Sequence, residues 1–101
     1  MAEGVKTWSL PPAHPVFCGH FPGNPIVPGV MLLEWVLDEV AHTLRRAPSA
    51  LRIREAKFFT PLAPAQRAEL RCEMGEQRCS FSIQHESVQI ARGVLEWSAH
   101  D

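Results

Sequence analysis

Little in this 101-residue chain is present in excess. Charge of one sign is missing: 10 Lys and Arg stand against 11 Asp and Glu, a formal net charge of −1. That balance leaves no electrostatic footprint for nucleic acid. No apolar run approaches the ~20 residues that cross a bilayer as a helix. The first residues, Met1 to Lys6, lack the charged and apolar regions of a signal peptide, so a cytoplasmic location is expected. Cysteine is scarce, and the odd set Cys18, Cys72 and Cys79 does not suggest a secreted disulfide framework. Cys18 and His20, with His14 nearby, match no zinc spacing, and no second Cys/His cluster lies close in sequence. Repeats and low-complexity stretches are absent too. The length leaves room for one domain, residues 1–101, with a modest core.

What the chain does have is proline, nine in all, and three of them organise one stretch. In His20-Phe21-Pro22-Gly23-Asn24-Pro25-Ile26-Val27-Pro28-Gly29, prolines recur every third residue. Each fixes φ and removes a backbone donor, and each restrains the residue before it. The result is a stiff loop carrying His20. Pro28 then suits the first turn of a helix, where its missing N–H costs nothing. The spacing predicts a helix from about Gly29 to Ala47, with a seam of Val30, Leu33, Leu37, Val40 and Leu44. Its first half is apolar on all sides except at Glu34, which reads as a buried helix. A carboxyl group there is expected to be partly desolvated and to hold its proton more tightly. Arg45 and Arg46 fall in the expected last turn, at the negative end of the helix dipole.

The remainder reads as strands. Residues 5–10 alternate apolar and polar before Pro11 and Pro12. Leu51 to Phe59 forms a strand with imperfect alternation, which a bulge near Glu55–Phe58 would reconcile. Residues 66–74 give the cleanest signal, with Ala68, Leu70, Cys72 and Met74 on one face. Gly75-Glu76 suits a type II′ turn. That turn pairs Met74 with Gln77, Cys72 with Cys79 and Leu70 with Phe81, placing Cys79, Phe81 and Ile83 inward. After a turn at His85-Glu86-Ser87, a last strand switches parity, so a bulge is expected near Ala91–Arg92. A strand, one long helix and about four antiparallel strands make an α+β domain with the helix on one sheet face.

The stretch His20-Phe21-Pro22-Gly23-Asn24-Pro25-x-x-Pro28-Gly29-x-x-x-x-Glu34 resembles the active-site segment of the hot-dog-fold 3-hydroxyacyl–acyl carrier protein dehydratases. The resemblance extends more loosely over the strands that follow. It implies a sheet wrapped around the central helix. It implies that His20 and Glu34 form the catalytic dyad and that the Gly29 N–H polarises the thioester carbonyl. It further implies dimers, joined edge to edge, in which His20 of one protomer meets Glu34 of the other. No metal or redox cofactor is implied. Val30, Leu33 and Phe59 are candidates for lining an acyl tunnel, with plain core packing the alternative for each.

Two departures stand out. The family usually carries glutamine one turn after the acid, where this chain has Asp38, and a small residue where it has Trp35. Asp38 shares a helix face with Glu34. Trp35 is expected to shorten or reroute the tunnel. Both point toward a specialised dehydratase rather than the housekeeping enzyme. Two alternatives to a homodimeric dehydratase stay open: a hot-dog thioesterase, and a non-catalytic carrier-binding or scaffold protein acting as the partner in a heterodimer. An acidic carrier favours a basic entrance, for which Arg45, Arg46, Arg52, Arg54 and Lys57 are candidates.

Overall fold

The structure, a computed structural model, describes residues 5–17 and 25–99. Expectations that fall on Cys18 and His20 lie outside the described residues. In chain order the elements are strand β1 (Lys6–Trp8), a 3-10 turn (Pro15–Phe17), helix α1 (Gly29–Leu44), a second 3-10 turn (Pro48–Ala50), β2 (Leu51–Phe58), β3 (Ala68–Gly75), β4 (Arg78–His85) and β5 (Val88–Trp97). The five strands form one sheet in the order β1-β3-β4-β5-β2. Every pairing is antiparallel. No helix among the described residues is long and apolar enough to cross a membrane.

Helix α1 begins where expected and ends earlier. Arg45 takes the left-handed conformation, φ 59° and ψ 44°, and turns the chain out of the helix. The Arg45 and Arg46 amides close on the carbonyls of His42 and Ala41, the hydrogen bonding a glycine usually provides at this place. Arg46 does not serve the helix dipole; its guanidinium donates to the carbonyls of Ser98 and Ala99. The seam also shifts. The buried face is Leu32, Trp35, Val36, Val40 and Ala41, while Leu33, Leu37 and Leu44 are half-buried beside it. Trp35 stacks on Trp8 with ring centroids 5.6 Å apart, so its bulk fastens β1 to the helix.

Against that face the sheet buries Ala68, Leu70, Cys79, Phe81, Ile83, Ile90, Ala91 and Leu95. Each large aliphatic contributes on the order of 1.5–3 kcal/mol. The β3–β4 register differs from the expected one. Gly75 pairs with Arg78, Met74 with Cys79 and Cys72 with Phe81. The turn residues are Glu76 and Gln77, with Gln77 at φ 61°. Both strand faces survive because the slip is even in residues. Cys72 and Cys79 are therefore diagonal neighbours, and both are in the thiol form. The Cys72 side chain, hydrogen-bonded to Cys79, holds the Cys79 thiol below its ordinary value despite burial.

The bulges sit close to their expected places. In β2 the register shifts between Ile53 and Glu55, leaving Arg54 as the extra residue. In β5 the shift falls at Ile90, since Ile83 pairs with Ala91 and Gln84 with Gln89. Between the two bulges lies Gly93, opposite Ala56 and Phe81. A Cβ there would lie 2.4 Å from the Glu55 carbonyl oxygen and 2.6 Å from the Phe81 ring. The bare backbone is the bed on which Phe81 lies.

The Arg54 bulge also brings two guanidinium groups to one carboxylate. Arg52 reaches Glu96 Oε1 at 2.6 Å and Arg54 reaches Oε2 at 3.2 Å. Hydrogen bonds from Arg52 and then Arg54 hold the Glu96 carboxyl below the usual range. Its folded-state pKa is thus below its unfolded one. The clamp's contribution is full above the ordinary carboxylate pKa of about 4.3 and is lost as pH falls through the depressed value. The Tm difference between wild type and Glu96→Gln is expected to be small, as befits a surface pair. It should stay constant above about pH 5 and shrink toward zero in acid. A difference that grows on acidification would contradict this sign.

Candidate active site

The chain enters α1 in extended conformation. Pro28, at the N-cap, has φ −59° and ψ 136° and offers no side-chain cap. Val27 is buried and its N–H donates to the Leu62 carbonyl at 2.8 Å. That bond ties the lead-in segment to the loop after β2. The first amides of any helix lack intrahelical partners, and among the described residues no side-chain hydrogen bond caps them. The Met31 amide reaches back to Pro28 at 3.0 Å. The helix start is therefore an uncapped, partially positive terminus at Gly29.

Beside it lies an apolar cavity of about 550 Å³, lined by Ile26, Val27, Gly29, Leu32, Phe58, Phe59, Thr60, Pro61, Leu62 and Ile90. Two of the site residues expected from the sequence, Gly29 and Phe59, line it. Sequence reasoning missed Phe58. Its ring lies where a Gly29 Cβ would be, with ring atoms 2.9 to 3.4 Å from that position. Glycine at 29 thus lets the Phe58 ring pack on the side where any other residue would carry its Cβ. The sequence shows only that Phe58 adjoins Phe59 at the expected strand end; both rings line the cavity and each is about half exposed, at 50% and 49%.

The other candidates fall elsewhere. Val30 and Leu33 are not among the residues lining this cavity. Val30, at 62% exposure, belongs with Glu34 and Asp38 to an exposed stripe along α1. Residues four apart share a helix face, so the three follow one another along the stripe. The expectation that Glu34 is buried is not met within the single chain. The apolar neighbours that suggested burial sit on the flanks of the helix, where the sheet takes Leu32, Trp35 and Val36 and leaves this stripe open. Trp35, stacked on Trp8, is not among the residues lining this cavity. His20 lies outside the described residues. Of the cations expected at an entrance, Arg52 and Arg54 are engaged by Glu96 and Arg46 by backbone carbonyls.

β2 forms one edge of the sheet. β2 pairs with β5 on one side only, and its other side has no strand partner among the described residues. Phe58 and Ile53 on that strand are exposed.

This fold and site have recognisable relatives. A family model described as ApeI-like, ApeI dehydratase, matches residues 3–94. The 3-hydroxyacyl-(acyl-carrier-protein) dehydratase FabZ of Symbiobacterium thermophilum is 37% identical over 76 residues, covering 68% of this chain and 54% of that protein. FabZ of Brucella ovis is 33% identical over 101 residues, covering 92% of this chain and 62% of that protein. The chain thus spans little more than half the length of these curated relatives. Among solved structures, the dehydratase heterocomplex ApeI:P from Xenorhabdus doucetiae superposes with a TM-score of 0.71 at 26% identity, covering 91% of this chain and 83% of that one. An uncharacterised protein from Erwinia carotovora subsp. atroseptica superposes with a TM-score of 0.72 at 23% identity, which shows the shared fold, covering 93% of this chain and 81% of the other. The helix on a five-stranded antiparallel sheet is the hot-dog arrangement, and the chain belongs to the ApeI-like dehydratase family.

Proposed function

We propose that residues 1–101 act as one hot-dog domain that converts a 3-hydroxyacyl thioester, carried on an acyl carrier protein, into the trans-2-enoyl thioester and water. The observation that carries this reading is the uncapped helix start at Gly29 opening onto an apolar cavity. A thioester carbonyl placed at that terminus meets a free amide and a positive dipole end, while the acyl chain takes the apolar space. His20 removes the C2 proton, and charge develops on the thioester oxygen. The Gly29 N–H stabilises that oxygen; a single donor of this type is worth about 3–4 kcal/mol. Glu34, in its carboxylic acid form, gives a proton to the departing C3 hydroxyl, which leaves as water. Proton exchange then returns His20 and Glu34 to their starting states. No step calls on a metal or redox group.

A second protomer completes the site in this reading. The open β2 edge offers a surface on which two sheets can join. The exposed Val30–Glu34–Asp38 stripe supports burial of the acid at the same junction. The partner is a second copy or a related chain, and the heterocomplex formed by the Xenorhabdus relative supports keeping the second possibility in the test. The family assignment favours dehydration over thioester hydrolysis.

The test is hydration of a short trans-2-enoyl thioester, followed by loss of enone absorbance, with wild type beside His20→Ala. Wild-type turnover that falls by about 10²–10⁴-fold in the variant supports the assignment. Free thiol release without hydration would move the function to thioester hydrolysis. No turnover by a folded dimer would point to a non-catalytic or heteromeric subunit.

A further inference from the structure

The sheet face away from α1 carries an unneutralised pair of cations. Lys57 stands directly opposite Arg92 across the β2–β5 ladder, and Arg92 is in turn opposite Ser82, itself opposite Arg71. All four share one row, because their strand neighbours Phe58, Ala91, Ile83 and Leu70 take the helix-facing side. Directly opposed side chains have Cβ atoms about 5 Å apart, and like charges so placed are destabilising. Elsewhere on the β2–β5 ladder the chain supplies a counter-charge: Glu96 takes both Arg52 and Arg54. Lys57 and Arg92 have no carboxylate within ion-pair distance among the described residues. Of the two flanking rows, one carries Glu55 and Glu73, opposite Val94 and Ser80, and the other carries Glu69, opposite Gln84; Glu55 and Glu73 border the same groove as Arg92.

Arg92 is also placed against the candidate site. Its guanidinium carbon lies 5.6 Å from the centroid of the Phe59 ring. The same Phe59 lines the apolar cavity at the helix start. A cation stacked on an aromatic ring is held in one place without being consumed by a counter-ion. The rim of the acyl cavity and the uncompensated cation pair therefore meet at one residue.

We propose that Lys57 and Arg92 bind the phosphate of the thioester's phosphopantetheine handle, with Phe59 fixing Arg92 at the cavity rim. The inference rests on the dehydratase reading for its substrate. It adds a distinct requirement: the phosphate is recognised by this chain's own β2 and β5. A phosphate between Lys57 and Arg92 relieves their repulsion and places the arm beside the cavity. The same phosphate is present in coenzyme A and in a loaded carrier protein.

The experiment compares enoyl thioesters of pantetheine, of 4′-phosphopantetheine, of coenzyme A and of a carrier protein. It uses wild type, Lys57→Met, Arg92→Met and Arg92→Lys. In wild type, kcat/KM is expected to be roughly tenfold higher for the phosphorylated arm than for pantetheine, chiefly through KM, with the advantage falling as salt rises. In Lys57→Met and Arg92→Met that ratio should approach one, and Arg92→Lys should restore part of it. Equal losses with coenzyme A and carrier thioesters assign the contact to the shared phosphate. A loss confined to the carrier substrate would overturn it in favour of a protein–protein contact. A ratio that persists in both methionine variants would overturn it outright. Binding of free 4′-phosphopantetheine, read as a rise in Tm that wild type shows and Arg92→Met lacks, tests the site without turnover. A failed dehydratase reading and a failed phosphate site therefore give different results.

Discussion

Glu34→Gln is expected to lower the rate of thioester dehydration by about 10²–10⁴-fold, the usual range for loss of a general acid, while leaving Tm nearly unchanged. The two halves of that expectation come from different observations. Glu34 is exposed on the stripe it shares with Val30 and Asp38, away from the Leu32, Trp35, Val36 and Val40 core. A substitution at such a position usually alters stability by no more than about 0.5 kcal/mol. Glutamine keeps the size and hydrogen-bonding reach of the side chain and removes only the transferable proton. Turnover measured beside melting therefore separates chemistry from folding. If the variant keeps its rate, the acid is another group, and Asp38 one turn away becomes the first to examine by the same substitution to Asn. If rate and Tm fall together, Glu34 has a structural role at a protomer junction.

The second large effect is structural. Gly93→Ala is expected to destabilise the fold by about 3 kcal/mol or more, at the upper end of what overpacking costs. The new methyl group would meet the Glu55 carbonyl oxygen at 2.4 Å and the Phe81 ring at 2.6 Å. The ring belongs to a flexible side chain and is able to move. The carbonyl belongs to β2 and moves only if the β2–β5 ladder opens. Gly93→Ala paired with Phe81→Leu should therefore recover only part of the loss. Urea denaturation midpoints of the single and double variants measure this. Full recovery in the double variant would show that the ring alone sets the limit. Since β2 also carries Lys57 and Phe58, the same change should raise KM for the acyl substrate in whatever protein remains folded.

Much of this architecture is legible in the residues, and the failures have physical causes. The helix start at Gly29 can be read from Pro28 because a proline at that position has one reasonable use. The helix end cannot, since Arg45 adopts a left-handed conformation that its side chain does not advertise. Strand faces are readable in β3 and β4 because alternation has a period of two. Register is not, because Gly75 looks like a turn residue while the turn is made one residue later by Glu76 and Gln77. The bulges at Arg54 and Ile90 announce themselves as breaks in alternation and are located to within a few residues. Glu34 misleads because counting apolar neighbours reports the composition of a helix, not which stripe the sheet covers. The motif from residue 20 to 34 points to the dehydratase family, to which the family model also assigns the chain. The cavity wall at Phe58 emerges only when the strand end and helix start are seen together.

The strand order has a consequence for how this protein comes into being. β5 is the last strand in sequence, yet it joins β4 on one side and β2 on the other. Among the described residues β2 has no other neighbour in the sheet. On the ribosome α1 emerges early, with Leu32, Val36 and Val40 in need of cover, and β2 follows with nothing to pair with. The hairpins β3–β4 and β4–β5, closed by turns of two residues, are local and quick to form. They cannot clasp β2 until Trp97 has left the exit tunnel. Domains that complete late in synthesis leave apolar surface open in the interval. A nascent chain arrested before β5 should therefore be held by chaperones as a helix and an unpaired strand, and its release should coincide with the arrival of that strand.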